Sequence, residues 1–236
     1  MRARSAIVPL VVALSMVASC AAHPEVDGAR ALARVAFQVE AGPRVPGGDG
    51  HRRVGEWIAA ECARLGARVE SEEWTDSSLA RPLALRNVIA RYGPAGGRRL
   101  ALVAHWDTRP FSDEDPDPAH RLDPVPGAND GGSGVAVLLE VAEFLHRRAP
   151  RVPVELVFVD GEDQGEATRP RDYCLGAARY AATRDAITRP AAAFVFDMVG
   201  DRDLGIWAEG ESSRRAANLV ALVLEGPEHT WEVVRT

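Results

Sequence analysis

Five carboxylates and one histidine stand where a folded chain can gather them: His105 and Asp107 in HWD, Asp130 in PGANDGGSG, Glu162 and Asp163 in DGED, and Asp197 in FD. Histidine nitrogen and carboxylate oxygen are the donors of catalytic zinc sites, which keep one position open for water or substrate. His105, Asp130, Asp163 and Asp197 offer such ligands from four separate segments, and a shared carboxylate such as Asp130 can bridge two ions that clamp a reacting carbonyl. Glu162 is the candidate for proton transfer. Adjacent residues after a strand point in different directions, so Asp163 can face a metal while Glu162 faces a substrate. Burial beside other carboxylates raises the pKa of such a group, and a nearby cation lowers it. Asp107, two residues past His105, is placed to accept the second imidazole N–H and orient the ring. A surface bridge to Arg109 is the alternative for Asp107.

Each signal has a plain structural reading when taken alone. A carboxylate before a helix can simply cap it, and DGED suits a turn. What unites them is position, because each histidine or carboxylate group follows an apolar run or opens a helix. NVIARY (87–92), LALVAH (100–105), VELVFVD (154–160) and AAFVFDMV (192–199) have the β-branched content of central strands. Helical patterns or loops separate them, at about 26–40, about 52–65 and VAVLLEVAEFLHRRA (135–149), with ESSRRAANLVALVLEG (211–226) near the end and an edge strand at ARVESEEW (67–74). This order predicts an α/β three-layer sandwich, a mostly parallel central sheet flanked by helices. Ligands of such sheets bind beyond the carboxyl ends of the strands, where His105, Asp160 to Asp163 and Asp197 stand. The Pro- and Asp-rich stretch TRPFSDEDPDPAHRLDPVP (108–126) is either a solvated acidic loop or a rim over the site mouth. Nothing fixes His120, inside it, as a ligand.

A chain of 236 residues, 46% apolar, suffices for one substantial domain, and a net charge of −6 argues against a general nucleic-acid binder. Arg2, Arg4 and the run AIVPLVVALSMVA read as an export signal over residues 1–20. Val17-Ala18-Ser19-Cys20 resembles a lipobox, which predicts an envelope lipoprotein, periplasmic or on the outer surface. Its folded domain would span 21–236, with membrane contact only through a lipid on Cys20. Cys62 and Cys174 could pair in an oxidising compartment. Cys62 shares a helical apolar face with Val54, Trp57, Ile58 and Leu65 and equally suits a buried thiol. Ser133 in GGSG lacks the following glycine of a nucleophile turn, since Val135 stands there.

Jointly the segments resemble the zinc exopeptidases that include bacterial leucyl-type aminopeptidases and glutaminyl cyclases. The resemblance rests on RVPGGDGH (44–51), LRNVIARY (85–92), LALVAHWDTRP (100–110), VPGANDGGSGVAVLLE (125–140), VELVFVDGEDQG (154–165), DYCLGAARYAA (172–182) and FVFDMVGDRDL (194–204). HWDTRPF, VPGAND, DYCLGAAR and DMVGDRDL look most like the cyclase-like bacterial branch. The resemblance implies that Asp130 and Asp163 hold zinc and that Glu162 is the acid/base. In a two-metal aminopeptidase, His105 and Asp197 would complete the other ion's shell with Asp130 bridging. In a cyclase a single zinc is expected, with that His and Asp beside it. One or two zinc ions are thus expected, with peptide or protein N-termini as substrates.

Two departures from the pattern matter. Asp163 stands where the family more often has Glu. The family's further histidine ligand, in an Asp-Asp-His-like segment, has no match after Asp197, and His229 in PEHTW lacks the motif's surroundings. The expectation is therefore a domain lacking its C-terminal part. Three functions follow: cyclisation of N-terminal glutamine with ammonia release, aminopeptidase action by the same residues, or an inactive envelope lipoprotein that keeps the fold.

Overall fold

A computed structural model describes residues 26–79, 81–166, 168–205 and Arg214. The expected export signal with Cys20, the last helical pattern apart from Arg214, and His229 lie outside the described residues. Among the described residues no helix is long and apolar enough to cross a membrane.

Among the described residues five strands form one sheet in the order β1-β2-β4-β3-β5: β1 Arg68–Asp76, β2 Leu83–Tyr92, β3 Leu100–His105, β4 Val154–Val159 and β5 Ala192–Val195. The β3–β4 and β3–β5 ladders are parallel, whereas β2 runs antiparallel to both β1 and β4. Four strands therefore run in one direction and only β2 opposes them. The carboxyl ends of β3, β4 and β5 open on a common edge.

Alternation along the strands makes the sheet two-sided. Val88, Ala90, Ala104, Leu156 and Phe158 face one core, built with Val54, Ile58, Cys62 and Leu65 of α2 (Asp49–Arg64) and Val135, Leu138, Leu139 and Ala142 of α3 (Gly132–Arg147). Ile89, Ala101, Val157 and Val159 face the other, under Ala177 and Tyr180 of α4 (Leu175–Ala182). These are the three expected layers. β4 is buried at every position, as a strand covered on both faces must be. Helix α1 (Gly28–Glu40) lies outside, docked on α3 through Arg30 and Arg34, which both bond the buried Glu140.

The element boundaries differ most where the sequence periodicity is weakest. β2 begins four residues before NVIARY, because its start pairs with the charged edge strand β1. Only residues 192–195 of AAFVFDMV are strand. Helix α4, eight residues long, has too few turns to show a helical period. Cys62 is buried in the first core and Cys174 is exposed, and both are free thiols.

Candidate metal centre

His105 closes β3, Asp197 follows β5, and Asp130 precedes α3. One donor atom from each lies within 4.8 Å of the other two. His105 Nε2 is 2.8 Å from Asp130 Oδ1 and 3.4 Å from Asp197 Oδ1, and Nδ1 is 3.4 Å from Asp107 Oδ1. Despite these distances, neither buried ring nitrogen has an aligned hydrogen bond among the described residues. Burial alone would push the His105 pKa down, but Asp107, Asp130 and Asp197 outweigh it and raise it to about 12. His105 in return holds Asp197 below the ordinary carboxylate range. The site is built to hold positive charge. One histidine nitrogen and two carboxylate oxygens form a donor set that zinc accepts, with separations near the roughly 3.3 Å between ligands of a tetrahedral ion. The residues present fit the metal.

The backbone explains how the three donors meet. Arg44, fully buried, donates to the carbonyls of Trp106, Pro126, Gly127 and Asp130, stapling the end of β3 to the Asp130 loop. Desolvation lowers its pKa to about 10, against the charges of Asp107 and Asp130. Gly131 turns at φ 72°, and a Cβ there would lie 3.1 Å from the His105 ring, so only glycine lets this loop close on the histidine. At Gly134 a Cβ would stand 2.2 Å from the Phe196 carbonyl oxygen, so α3 and the end of β5 touch through backbone. Asn129 Oδ1 accepts from the Gly200 amide, and Ser133 Oγ accepts from the Val199 amide while donating to Asn129 O. Ser133 thus ties the Asp197 segment to the Asp130 segment.

Asp107 is fully buried, and its carboxylate accepts from the amides of Glu162 and Asp163 and from Gln164 Nε2. Burial pushes its pKa up, but His105, Gln164 and the Asp163 amide win and hold it low. It backs the histidine and the acidic loop at once. The Arg109 bridge goes elsewhere, to Asp113 and to Asp163 Oδ1 at 3.0 Å. Asp163 is not among the three gathered donors and has its own counter-ion. Desolvation and then the Asp130 charge raise its pKa to about 6, against Arg109. Glu162 is half-buried and raised by desolvation, and its carboxylate accepts a hydrogen bond from Cys174 Sγ at 3.2 Å. His120 is exposed and paired with Asp123, away from the centre.

Sequence reasoning missed Arg44, Gln164 and the Asp163 partnership of Arg109. A single arginine in a Gly/Pro-rich loop was the one available signal for Arg44. Two clefts border the region. One of about 410 Å³ runs beside Arg109, past Leu83, Phe111 and Gln164. The other, about 460 Å³, lies by His51 and Trp106, and neither is lined by His105, Asp130, Asp163, Asp197 or Glu162.

A His/Asp/Asp cluster with an adjacent glutamate, at the carboxyl edge of a three-layer α/β sheet, defines the class of metal-dependent exopeptidase-like folds. The chain belongs to Peptidase family M28, whose model matches residues 87–229. It is 33% identical over 156 residues to the uncharacterized protein YfbL of Escherichia coli, covering 66% of this chain and 44% of that one. The chain thus spans less than half the length of that curated relative. A Zn-dependent exopeptidase from Parabacteroides distasonis superposes with a TM-score of 0.80 at 37% identity, over 86% of this chain and 72% of that one. A glutaminyl cyclase from Bacteroides thetaiotaomicron, bound to N-acetylhistamine, gives 0.82 at 31% identity, over 90% and 77%.

Proposed function

We propose that this chain is a zinc-dependent enzyme of peptide N-termini that cyclises N-terminal glutamine to pyroglutamate and releases ammonia. The observation that carries the reading is Glu162: a half-buried carboxylate with a raised pKa and, among the described residues, no cationic partner in a hydrogen bond or ion pair, beside the His105, Asp130 and Asp197 cluster. The similarity to a solved glutaminyl cyclase over most of the chain, and the segments HWDTRPF and VPGAND, support cyclisation in particular.

His105, Asp130 and Asp197, the three gathered donors, would hold the ion, a set that differs from the Asp130 and Asp163 pair that the resemblance implies for a cyclase, in which His105 and Asp197 stand beside the zinc. A bound zinc ion supplies Lewis-acid polarisation of a carbonyl. The residues of the chain do the rest. The substrate's α-amine attacks its own side-chain amide carbon, a C–N bond forms, and the bond to the amide nitrogen breaks. Glu162 takes a proton from the attacking amine and returns one to the departing nitrogen, which leaves as ammonia. Asp107 keeps the loop in place by holding the Glu162 and Asp163 amides. The cleft beside Arg109 offers room for the following residues.

Aminopeptidase action is the second reading, favoured by the 37% identity to a Zn-dependent exopeptidase. There Glu162 would accept a proton from the attacking water. The two are separated by incubating the purified, zinc-supplemented protein with Gln-Phe-Ala. Ammonia with a product lighter by one ammonia supports cyclisation, free glutamine supports the peptidase, and neither product contradicts both. The reading extends to location: Arg2, Arg4, the apolar run and Cys20 support an exported lipoprotein anchored at the envelope through that cysteine.

A further inference from the structure

The loop that carries Glu162 is gripped along its backbone by the start of α4. The amides of Cys174, Leu175 and Gly176, which a helix start leaves without intrahelical partners, donate to the carbonyls of Glu162, Gly161 and Asp160 at 2.9, 3.0 and 2.8 Å. Cys174 then adds a side-chain contact, its Sγ lying 3.2 Å from Glu162 Oε1. To place both groups at once Cys174 adopts the left-handed conformation, φ 57°, which costs a non-glycine residue energy. Glycine would be the residue for that backbone alone. A cysteine there provides a side-chain donor that glycine lacks.

We infer that Cys174 is a positioning residue for Glu162, its thiol holding the carboxylate in one orientation for proton transfer. The inference rests on the proposed acid/base role of Glu162. It assigns α4 a part in the reaction that packing does not require: the helix start fixes the loop, and the thiol fixes the proton-transfer group. Consistent with the contact, burial and then the Glu162 hydrogen bond push the Cys174 thiol up to about 11.

The test uses four variants of the full chain. Glu162→Gln is expected to abolish turnover, which establishes the role on which the inference rests. Cys174→Ala lowers kcat by about tenfold with KM within about twofold, because the carboxylate loses its orienting donor while the cleft is untouched. Cys174→Ser keeps a donor and restores most of kcat. Cys174→Gly separates the chemistry from the backbone: it raises the melting temperature by relieving the left-handed strain, yet lowers kcat as alanine does. The second readout needs no turnover. Cys174 is exposed and Cys62 buried, so peptide-resolved alkylation by iodoacetamide reports the Cys174 thiolate. Glu162→Gln should raise that rate by about two- to threefold, since the thiol loses the Glu162 part of its upward shift, keeps the part due to burial, and gives back some of the gain to lower nucleophilicity.

If Glu162→Gln leaves turnover intact, the acid/base reading fails and the inference with it. If Glu162→Gln is inactive while Cys174→Ala and Cys174→Gly keep wild-type kcat, only the positioning role is overturned. An alkylation rate unchanged by Glu162→Gln overturns the contact itself, whatever the turnover.

Discussion

Arg109 Nη1 lies 3.0 Å from Asp163 Oδ1, and the same nitrogen lies 3.1 Å from the Tyr173 hydroxyl. The carboxylate that family resemblance assigns to zinc is thus neutralised by a guanidinium, while Asp130 remains shared between Asp163's field and the His105 cluster. A second ion would have to displace Arg109. Arg109→Met is expected to raise bound zinc from about one toward about two equivalents, read by calorimetric titration, because it leaves Asp163 without its counter-charge in the field of Asp130. Unchanged stoichiometry would show that Asp163 stays unavailable for another reason.

Contact between α3 and the end of β5 sets where Asp197 stands relative to Asp130. Gly134→Ala must push the Phe196 carbonyl away. It should destabilise the fold by about 1 to 3 kcal/mol and weaken zinc binding as well. Urea denaturation with a zinc-competition titration measures both, and a stability loss with unchanged affinity would mean that Asp197 does not ligate.

The buried ion network on Glu140 anchors α1 to α3, and Gln38 of α1 bonds the Gly132 carbonyl at the start of α3. Glu140→Ala leaves Arg34, only 6% exposed, without its closest counter-ion. The expected loss is about 3 kcal/mol in urea. A loss near zero would mean that Glu143 takes over Arg34.

Asp160 supplies a pH signature away from the metal ligands. It is buried, and desolvation raises its pKa from 3.8 to about 6 despite hydrogen bonds from His51 and the Arg86 amide. A raised folded-state pKa means that the stability it contributes is complete below about pH 4 and is lost as pH rises through about 6. The span corresponds to about 3 kcal/mol. Asp160→Asn should flatten this part of the stability–pH curve between about pH 4 and 6 in denaturation experiments. An unaltered slope would show that Asp160 titrates normally.

Much of this architecture was legible because it repeats with a period. Strands β3 and β4 and helix α3 announce themselves through apolar density, and the His105 and Asp130 positions follow from where β3 ends and α3 begins. The rest depends on contacts with no local signature. Nothing in the residues near Arg44 says that its guanidinium will gather four carbonyls from loops more than sixty residues away in sequence. Asp163 and Arg109 likewise look, in sequence, like a ligand and a loop charge. Only folding shows them as partners. Helix α4 is short, and its work is done by three backbone amides, which every residue but proline carries.

Whether His105, Asp130 and Asp197 hold a metal ion is read from zinc content by mass spectrometry after exhaustive dialysis, for the wild type and for Asp130→Asn, Asp197→Asn and Asp163→Asn. About one zinc per chain is expected in the wild type and in Asp163→Asn, and almost none in the other two. Zinc retained in Asp130→Asn, or lost only in Asp163→Asn, would contradict this assignment.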